Sequence, residues 1–242
     1  AEFLAIDMIP EAYRPSPRIQ QYRVLVRHRR WLQGRITSVK CKLRNKAAYY
    51  NADIADLFTK KGQDHLAAIA MSASDRFECL HLQELRQVFE SQLKAVDKEL
   101  AKFRESAPLA EREARAVLST IPWVGPVTID IILSELGDWH RFRGAKRVVS
   151  YAGLDPGCRE SAGKAHQLKI SKEGSRLLRW AMVETAWRLV NTCQRWRNIF
   201  ERLVRNTGSK KRAIVGVARR VLCMIFAMLR EGRAYDMPAR AA

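Results

Sequence analysis

One stretch of the chain gathers the groups that phosphoryl chemistry needs. From Gly153 to Gly174 it reads G-L-D-P-G-C-R-E-S-A-G-K-A-H-Q-L-K-I-S-K-E-G, with four glycines, one proline and the basic residues Arg159, Lys164, Lys169 and Lys172. Ser161 sits among these cations and is followed by Ala-Gly. His166 comes shortly after, and Arg176 and Arg179 open the next segment. A serine in such surroundings has the composition of a phosphodiester nucleophile. It needs a base to take its proton and cations to hold charge on the phosphorane oxygens. On residue types alone the reading stays open. A serine in a polar loop is more often a turn residue. Lys164 and Lys169 would more often be solvated phosphate contacts than catalytic groups, and His166 by itself argues neither a base nor a metal ligand.

A second candidate is Leu118-Ser-Thr-Ile-Pro-Trp-Val-Gly-Pro-Val-Thr128, which leads into the apolar run Ile129 to Leu136. A helix, an Ile-Pro-x-Val-Gly turn and an apolar helix have the pattern of a helix-hairpin-helix element. The turn exposes backbone N–H groups at an electropositive helix end, and Gly125 would let a phosphate approach closely. Trp123 occupies the place of that element's usual first glycine, and Pro126 removes one donor. A structural helix–helix corner would read the same way. A third stretch, Arg195 to Lys211, mixes Arg195, Trp196, Arg197, Phe200, Arg202 and Arg205. It suits phosphates and unpaired bases, and equally a helix with a buried aromatic face and a solvated arginine face. Asp130, Glu135, Asp138 and Asp155 show no D-x-D or H-x-E spacing, so no metal ligands are expected in this chain.

The charge points the same way as the first stretch. Among 242 residues, 44 are Lys or Arg and 25 are Asp or Glu, a net of +19. Residues 141–242 hold 23 basic and 7 acidic groups, while residues 51–140 are mildly acidic. A field of that sign favours a polyanion, above all nucleic acid. Hydrophobic residues make up 47%, enough for a sizeable core. No run of about 18 apolar residues exists, because Arg219 and Arg220 cut the best candidate, so no membrane partner is expected. Five widely spaced cysteines without C-x-x-C argue against a disulfide framework or a zinc site and fit a reducing cytoplasm.

The elements that must position these groups read as helices, and the predicted class is all-α. Prolines 10, 15 and 17 mark residues 1–18 as a connector. Tyr22, Leu25, Leu32, Ile36, Val39 and Leu43 form one apolar stripe, with Arg29 at a core-type position. Leu82, Leu85, Phe89, Leu93, Val96, Leu100 and Phe103 form another. A polar break around Thr59 to Asp64 separates them. Residues 19–109 therefore read as a helical hairpin or a dimerising coiled coil. Beyond a boundary near residue 110, helices are expected near Glu111–Thr120, Val127–Leu136, Gly174–Cys193 and Ser209–Arg230. Another holds Phe200 to Val204 and is closed by Gly208. The stretch from Gly153 to Gly174 is expected as a loop.

Several ordered blocks then resemble one family. They are I-P-W-V-G-P at 121–126, E-L-G-D-W-H-R-F at 135–142, Y-A-G-L-D-P at 151–156, R-E-S-A-G-K at 159–164, K-I-S-K-E-G-S-R-L-L-R at 169–179 and R-E-G-R-A-Y-D at 230–236. Together they resemble the C-terminal domain of the DEDD-type insertion-sequence transposases, which include pilin-gene-inverting and bridge-RNA-guided recombinases. The resemblance covers residues 110–237, leaving 238–242 as a tail. It implies an insertion-sequence transposase or site-specific recombinase with a serine nucleophile in the S-x-G block, here Ser161. It also implies homo-oligomers acting on DNA, at least some with a structured guide RNA, in the bacterial cytoplasm at the nucleoid. Magnesium enters that family through four acidic residues of a RuvC-like nuclease domain. Ala1-Glu-Phe-Leu resembles the segment just after that domain's last acidic block, and Ala1 opens the chain in place of Met, so a chain without the nuclease domain is expected. From charge and spacing, Arg159, Lys164, Lys169 and Arg176 would neutralise the attacked phosphate, and Lys172 and Arg179 would hold flanking backbone. The alternative is a non-catalytic nucleic-acid-binding and oligomerisation module.

Overall fold

The computed structural model describes residues 13–161 and 164–236, and of residues 158–169 only the backbone. The chain divides into two compact units. One runs from Val24 to Ser106; the other combines the chain up to Arg23 with Ala107 onward.

The 24–106 unit is built on two long helices, α1 (Pro17–Tyr49), whose first residues belong to the other unit, and α3 (Ala73–Glu105). They lie antiparallel. Arg29 pairs with Asp97 at 2.6 Å, Lys40 with Glu90 at 3.3 Å and Lys46 with Asp75 at 2.7 Å, so partners descend along one helix as they ascend along the other. The expected break is itself partly helical. Thr59 caps α2 (Lys60–Ala68) by accepting from the Gly62 backbone N–H, which satisfies one of the donors a helix start leaves open. Val39, Leu43, Ala47, Leu57, Leu66, Cys79 and Leu82 form the core here.

Two positions depart from the predicted stripes. Val26 is buried on α1, while Leu25 is only half-buried. On α3, Leu85 is exposed and its neighbour Arg86 is buried. The Arg86 head pairs with Glu90 at 3.0 Å and stacks 5.8 Å from the Phe58 ring. The turn before α2 brings Phe58 to the helical hairpin, and an aromatic face can hold a guanidinium where aliphatic periodicity alone would place leucine.

At the far end of this unit Asp75 accepts from Lys46 Nζ at 2.7 Å and from Tyr50 OH at 2.5 Å. The Lys46 bond, then the Tyr50 bond, lower its pKa from 3.8 to about 2. This contribution is therefore complete above the ordinary carboxylate value and fades as pH falls towards about 2. Asp75→Asn is expected to leave helicity at pH 7 nearly unchanged and to flatten the loss of helicity between about pH 4 and about pH 2, read by circular dichroism.

The second unit holds α4 (Leu109–Ser119), α5 (Pro126–Leu136), a 3-10 turn (Trp139–Arg141) and α6 (Ala145–Tyr151). After them come strands β1 (Pro156–Ser161) and β2 (Lys164–Ile170), then α7 (Arg176–Thr192), α8 (Gln194–Thr207) and α9 (Lys210–Glu231). Helix α9 is central and packs against α4, α6, α7 and α8. Val217, Ala218, Val221, Leu222 and Ile225 are fully buried along it. The predicted punctuation at Gly208 and Ser209 holds, and a glycine also ends α5. Gly137 ends α5, Gly208 ends α8, and the Ser209 side chain caps α9 through the Arg212 N–H.

The all-α class is thus observed, with one local correction. Part of the expected loop from Gly153 to Gly174 is an antiparallel two-stranded hairpin. Its strands read P-G-C-R-E-S and K-A-H-Q-L-K-I, with Ile170 alone β-branched and too little of the content that marks a strand in sequence.

The start of α1 is fastened to this unit by buried polar contacts. Tyr22 OH donates to Asp130 Oδ1 at 2.7 Å, and Arg115 Nη2 donates to both. Burial first, then the Asp130 charge, raises the Tyr22 pKa well above its ordinary value, so the phenol keeps its proton. Arg18 pairs with Glu111 at 2.7 Å. Arg23 donates to the Ser134 and Glu135 carbonyls at 2.8 and 2.9 Å, and Tyr151 OH donates to the same Glu135 carbonyl at 2.9 Å. The last-turn carbonyls of buried α5, which have no partner within the helix, are met in this way.

Candidate active site on a cationic hairpin

The hairpin leaves the helical body through a tightly closed neck. Leu154 N–H donates to the Val149 carbonyl at 3.0 Å, Ser171 N–H to Asp155 at 3.0 Å, Lys172 N–H to Gly153 at 3.1 Å and Ser175 N–H to Tyr151 at 3.3 Å. Asp155 ties the two sides by its side chain as well. Its Oδ1 accepts from Ser171 Oγ at 2.6 Å and its Oδ2 from Ser150 Oγ at 3.4 Å.

Two glycines make the closure possible. Gly153 has φ +62, and a Cβ there would stand 2.8 Å from the Gly174 nitrogen. A Cβ on Gly174 would stand 1.9 Å from the Tyr151 carbonyl oxygen. Neither position admits a side chain.

Arg179 braces the same neck. Its Nη1 donates to the Ala152 carbonyl at 2.8 Å and to the Gly174 carbonyl at 3.4 Å. Burial, with the neighbouring Arg176 second, lowers its pKa from the usual guanidinium value. Lys172 is exposed and adopts φ +60, and Arg176 is exposed at the first position of α7 behind the Ser175 cap.

Beyond the neck the backbone register is regular. Cys158 pairs with Gln167, Arg159 with His166, Glu160 with Ala165 and Ser161 with Lys164. Residues opposite one another belong to the same face, as do residues two apart. Arg159, Ser161, Lys164 and His166 therefore share one face of the hairpin at its distal end. Lys169 lies on β2, nearer the neck. The side chains of Arg159, Ser161, Lys164, His166 and Lys169, and the whole of residues 162–163, lie outside what is described. The same holds for the Ala1 to Leu4 segment and the 238–242 tail.

Gly125 belongs to a different element, the turn before α5. It is exposed, it occupies the N-cap, and a Cβ there would meet nothing within 4 Å. Two residues earlier Trp123 takes φ +66 and is 63% exposed. This is the place where the helix-hairpin-helix pattern has glycine, and the backbone keeps the glycine-favoured conformation although the residue is Trp. Trp123→Gly is expected to be more stable than Trp123→Ala by about 1 kcal/mol, measured by thermal melts of the two variants. Both remove the indole, so the difference isolates the left-handed backbone.

In the third stretch, Trp196 is buried and its Nε1 donates to Tyr235 OH at 2.9 Å, while Phe200 packs 5.5 Å from Trp187. Arg195, Arg197, Arg202 and Arg205 are exposed. The aromatics of α8 thus serve packing and the arginines face solvent.

The residues that sequence reasoning missed are those of the neck: Ser150, Gly153, Asp155, Ser171 and Gly174. Their signal was the pair of glycines bracketing the basic stretch, one two residues before an Asp and one three residues after a Ser. Among the described residues no three His, Cys, Asp or Glu cluster as a metal site. The magnesium implied by the resemblance is assigned to the acidic residues of a nuclease domain. Among the described residues no helix is long and apolar enough to cross a membrane.

Comparisons with known proteins agree with the motif blocks. Residues 115–201 match the family described as Transposase IS116/IS110/IS902. The chain is 31% identical over 180 residues, 74% of its length, to the insertion element IS110 uncharacterized 43.6 kDa protein of Streptomyces coelicolor, of which this covers 41%. It is 30% identical over 125 residues to the pilin gene-inverting protein of Moraxella bovis, covering 50% of this chain and 38% of that protein. It is 28% identical over 162 residues to the transposase for insertion sequence element IS1111A of Coxiella burnetii, covering 65% and 41%. The chain spans about two fifths of the length of the curated relatives it matches. The matched segment runs from α4 to α8 and encloses the hairpin and its neck, so the similarity to the IS116/IS110/IS902 transposase family falls on the part of the chain that carries the candidate site.

Proposed function

We propose that this chain is the strand-joining part of an insertion-sequence transposase, with Ser161 as the nucleophile. The observation that carries the proposal is the register of the hairpin. It puts Ser161 on one face with Arg159, Lys164 and His166, at the end of an element whose neck is fixed by backbone and side-chain bonds. Pre-positioned cations beside a hydroxyl stabilise charge that develops on phosphate oxygens. In the step proposed, Ser161 Oγ forms a bond to phosphorus of a DNA phosphodiester and gives up its proton to a base. The bond from phosphorus to one deoxyribose oxygen breaks, and that oxygen leaves as a hydroxyl after taking a proton. The protein is then joined to DNA through a phosphoserine ester, and the reverse attack by another DNA hydroxyl completes strand exchange.

Lys169, Lys172 and Arg176 border the strand path as phosphate contacts in this proposal. Arg179 contributes by bracing the neck. The Gly125 turn is a further phosphate contact outside the hairpin. A structured RNA and further copies of the chain are the partners that the resemblance implies. An exposed apolar strip on α3, formed by Phe77, Leu80, Leu85 and Val88, supports self-association.

The substrate class is tested by salt. If several of the cations of residues 141–242 meet phosphates, duplex affinity is expected to fall with a log–log slope of about −0.9 per phosphate neutralised, measured by fluorescence anisotropy on element-end DNA. A flat response would remove DNA as the substrate.

A further inference from the structure

We propose that a cavity between α6 and α9 receives one unpaired nucleotide of the DNA strand that Ser161 attacks. The cavity has a volume of about 720 Å³, within the range of sites that enclose small ligands. It begins where the hairpin begins, since Asp155 and Pro156 stand on its rim. Its cations come from two helices, Lys146 and Arg147 on α6 and Arg219 and Arg220 on α9.

Among the described residues, neighbouring acids do not engage these four cations. Among the described residues none forms an ion pair with a carboxylate. Among the described residues Asp155 is the one carboxylate lining the cavity, and both its oxygens already accept from Ser171 and Ser150. Four cations facing one hydrogen-bonded carboxylate select an anion. The remaining walls are apolar or small, with Val149, Leu203, Gly216 and Cys223 among them. Gly216 matters to this shape. A Cβ there would come 3.0 Å from Leu203 Cδ1, so glycine lets α8 and α9 close behind the cavity.

A duplex backbone crossing the surface would meet cations without needing an apolar recess. A recess of this size behind a cationic rim fits a phosphate with its base turned out of the stack. The position also fits the hairpin. Pro156 and Ser161 are the two ends of β1, about 16 Å apart at about 3.3 Å per residue. At roughly 3.4 Å per nucleotide, no more than about five nucleotides separate the cavity from the attacked phosphate. The inference rests on the strand-joining reading for the identity of the strand, and on the cavity alone for the nucleotide.

The test uses the full chain, the double variant Lys146→Ala/Arg219→Ala, and Ser161→Ala. Both substituted cations contact solvent, so folding should survive, and circular dichroism checks that it does. The probes are element-end duplexes with and without a five-nucleotide single-stranded flank, and an RNA of the same flank sequence. The double variant is expected to bind the flanked DNA at least about tenfold more weakly, with a salt slope smaller by about 0.7 for each phosphate no longer neutralised, and the plain duplex within about twofold. Cys223, whose thiol pKa burial raises, serves as a reporter. Flanked DNA should protect it from alkylation in peptide-resolved mass spectrometry, and the plain duplex should not. Equal losses on both DNAs, unchanged binding, or protection by the RNA alone would overturn the proposal. Ser161→Ala separates the two readings: it should keep the cavity effects in either case, while strand joining is lost only if Ser161 is the nucleophile.

Discussion

Ser161→Ala is expected to lower the rate of strand joining by about 10⁴-fold or more while leaving DNA affinity within about twofold. The magnitude reflects the cost of losing a nucleophile in enzymes that work through a covalent intermediate. The unchanged affinity reflects the position of the residue. Ser161 is the last residue of β1, and the cations expected to hold DNA are other residues, on the hairpin, its neck and the helices behind it. Ser161→Cys offers a second reading of the same position. A thiol can still attack phosphorus but holds a less stable ester, so partial and slower joining is expected. If Ser161→Ala joins strands normally, the serine is only a residue of the hairpin tip. If it loses binding in parallel with joining, its role is structural.

Gly174→Ala is expected to cost more than about 4 kcal/mol locally and to remove both the hairpin and strand joining. The reason for losing the hairpin is steric and does not depend on the functional proposal. The added Cβ would lie 1.9 Å from the Tyr151 carbonyl oxygen, a backbone atom at the end of α6 that also accepts from Ser175 N–H. No rotamer change relieves that contact, so the neck must open. Opening it costs the Lys172–Gly153 and Ser175–Tyr151 bonds and strips Arg179 of its two carbonyls. Backbone amide hydrogen exchange should show fast exchange at Ser171, Lys172 and Ser175 in the variant while α9 stays protected. Retained protection at these amides would refute the neck as described.

The two predictions separate chemistry from support, and the sequence disclosed them unequally. The motif S-A-G-K stood out as a candidate because a serine and several cations are close in sequence. The helices were legible where their apolar spacing and caps are local, as at Ser209 and Gly208 around α8 and α9. What escaped depends on contacts made across the chain. Asp130 looked unremarkable among the acidic residues, yet it is 1% exposed and bonded to Tyr22, 108 positions away. Leu85 and Arg86 exchanged their expected places because Phe58 and Glu90 can hold the guanidinium, which α3 periodicity does not reveal. The hairpin escaped because its strands are held by register and by Asp155 at the neck rather than by β-branched residues. Helix α6 escaped because seven residues, A-K-R-V-V-S-Y, are too few to show a period.

The charge distribution gives these local features one direction. The mildly acidic stretch 51–140 supplies the carboxylates of the helical hairpin, such as Asp75, Glu90 and Asp97, which pair with its lysines and arginines. The largest basic excess lies in residues 141–242, where acids are few and Arg179, Arg195 and Arg219 lie on α7, α8 and α9.

The most direct measurement is the identity of the residue that becomes attached to DNA. The chain is incubated with magnesium, element-end DNA, candidate guide RNA and a separately supplied nuclease domain. The mixture is then denatured, digested with nuclease and protease, and read by peptide mass spectrometry. A nucleotide remnant on Ser161, absent from Ser161→Ala, is the result predicted here. A remnant on any other residue, or none while salt-sensitive DNA binding persists, would contradict the serine mechanism and leave a nucleic-acid-binding module.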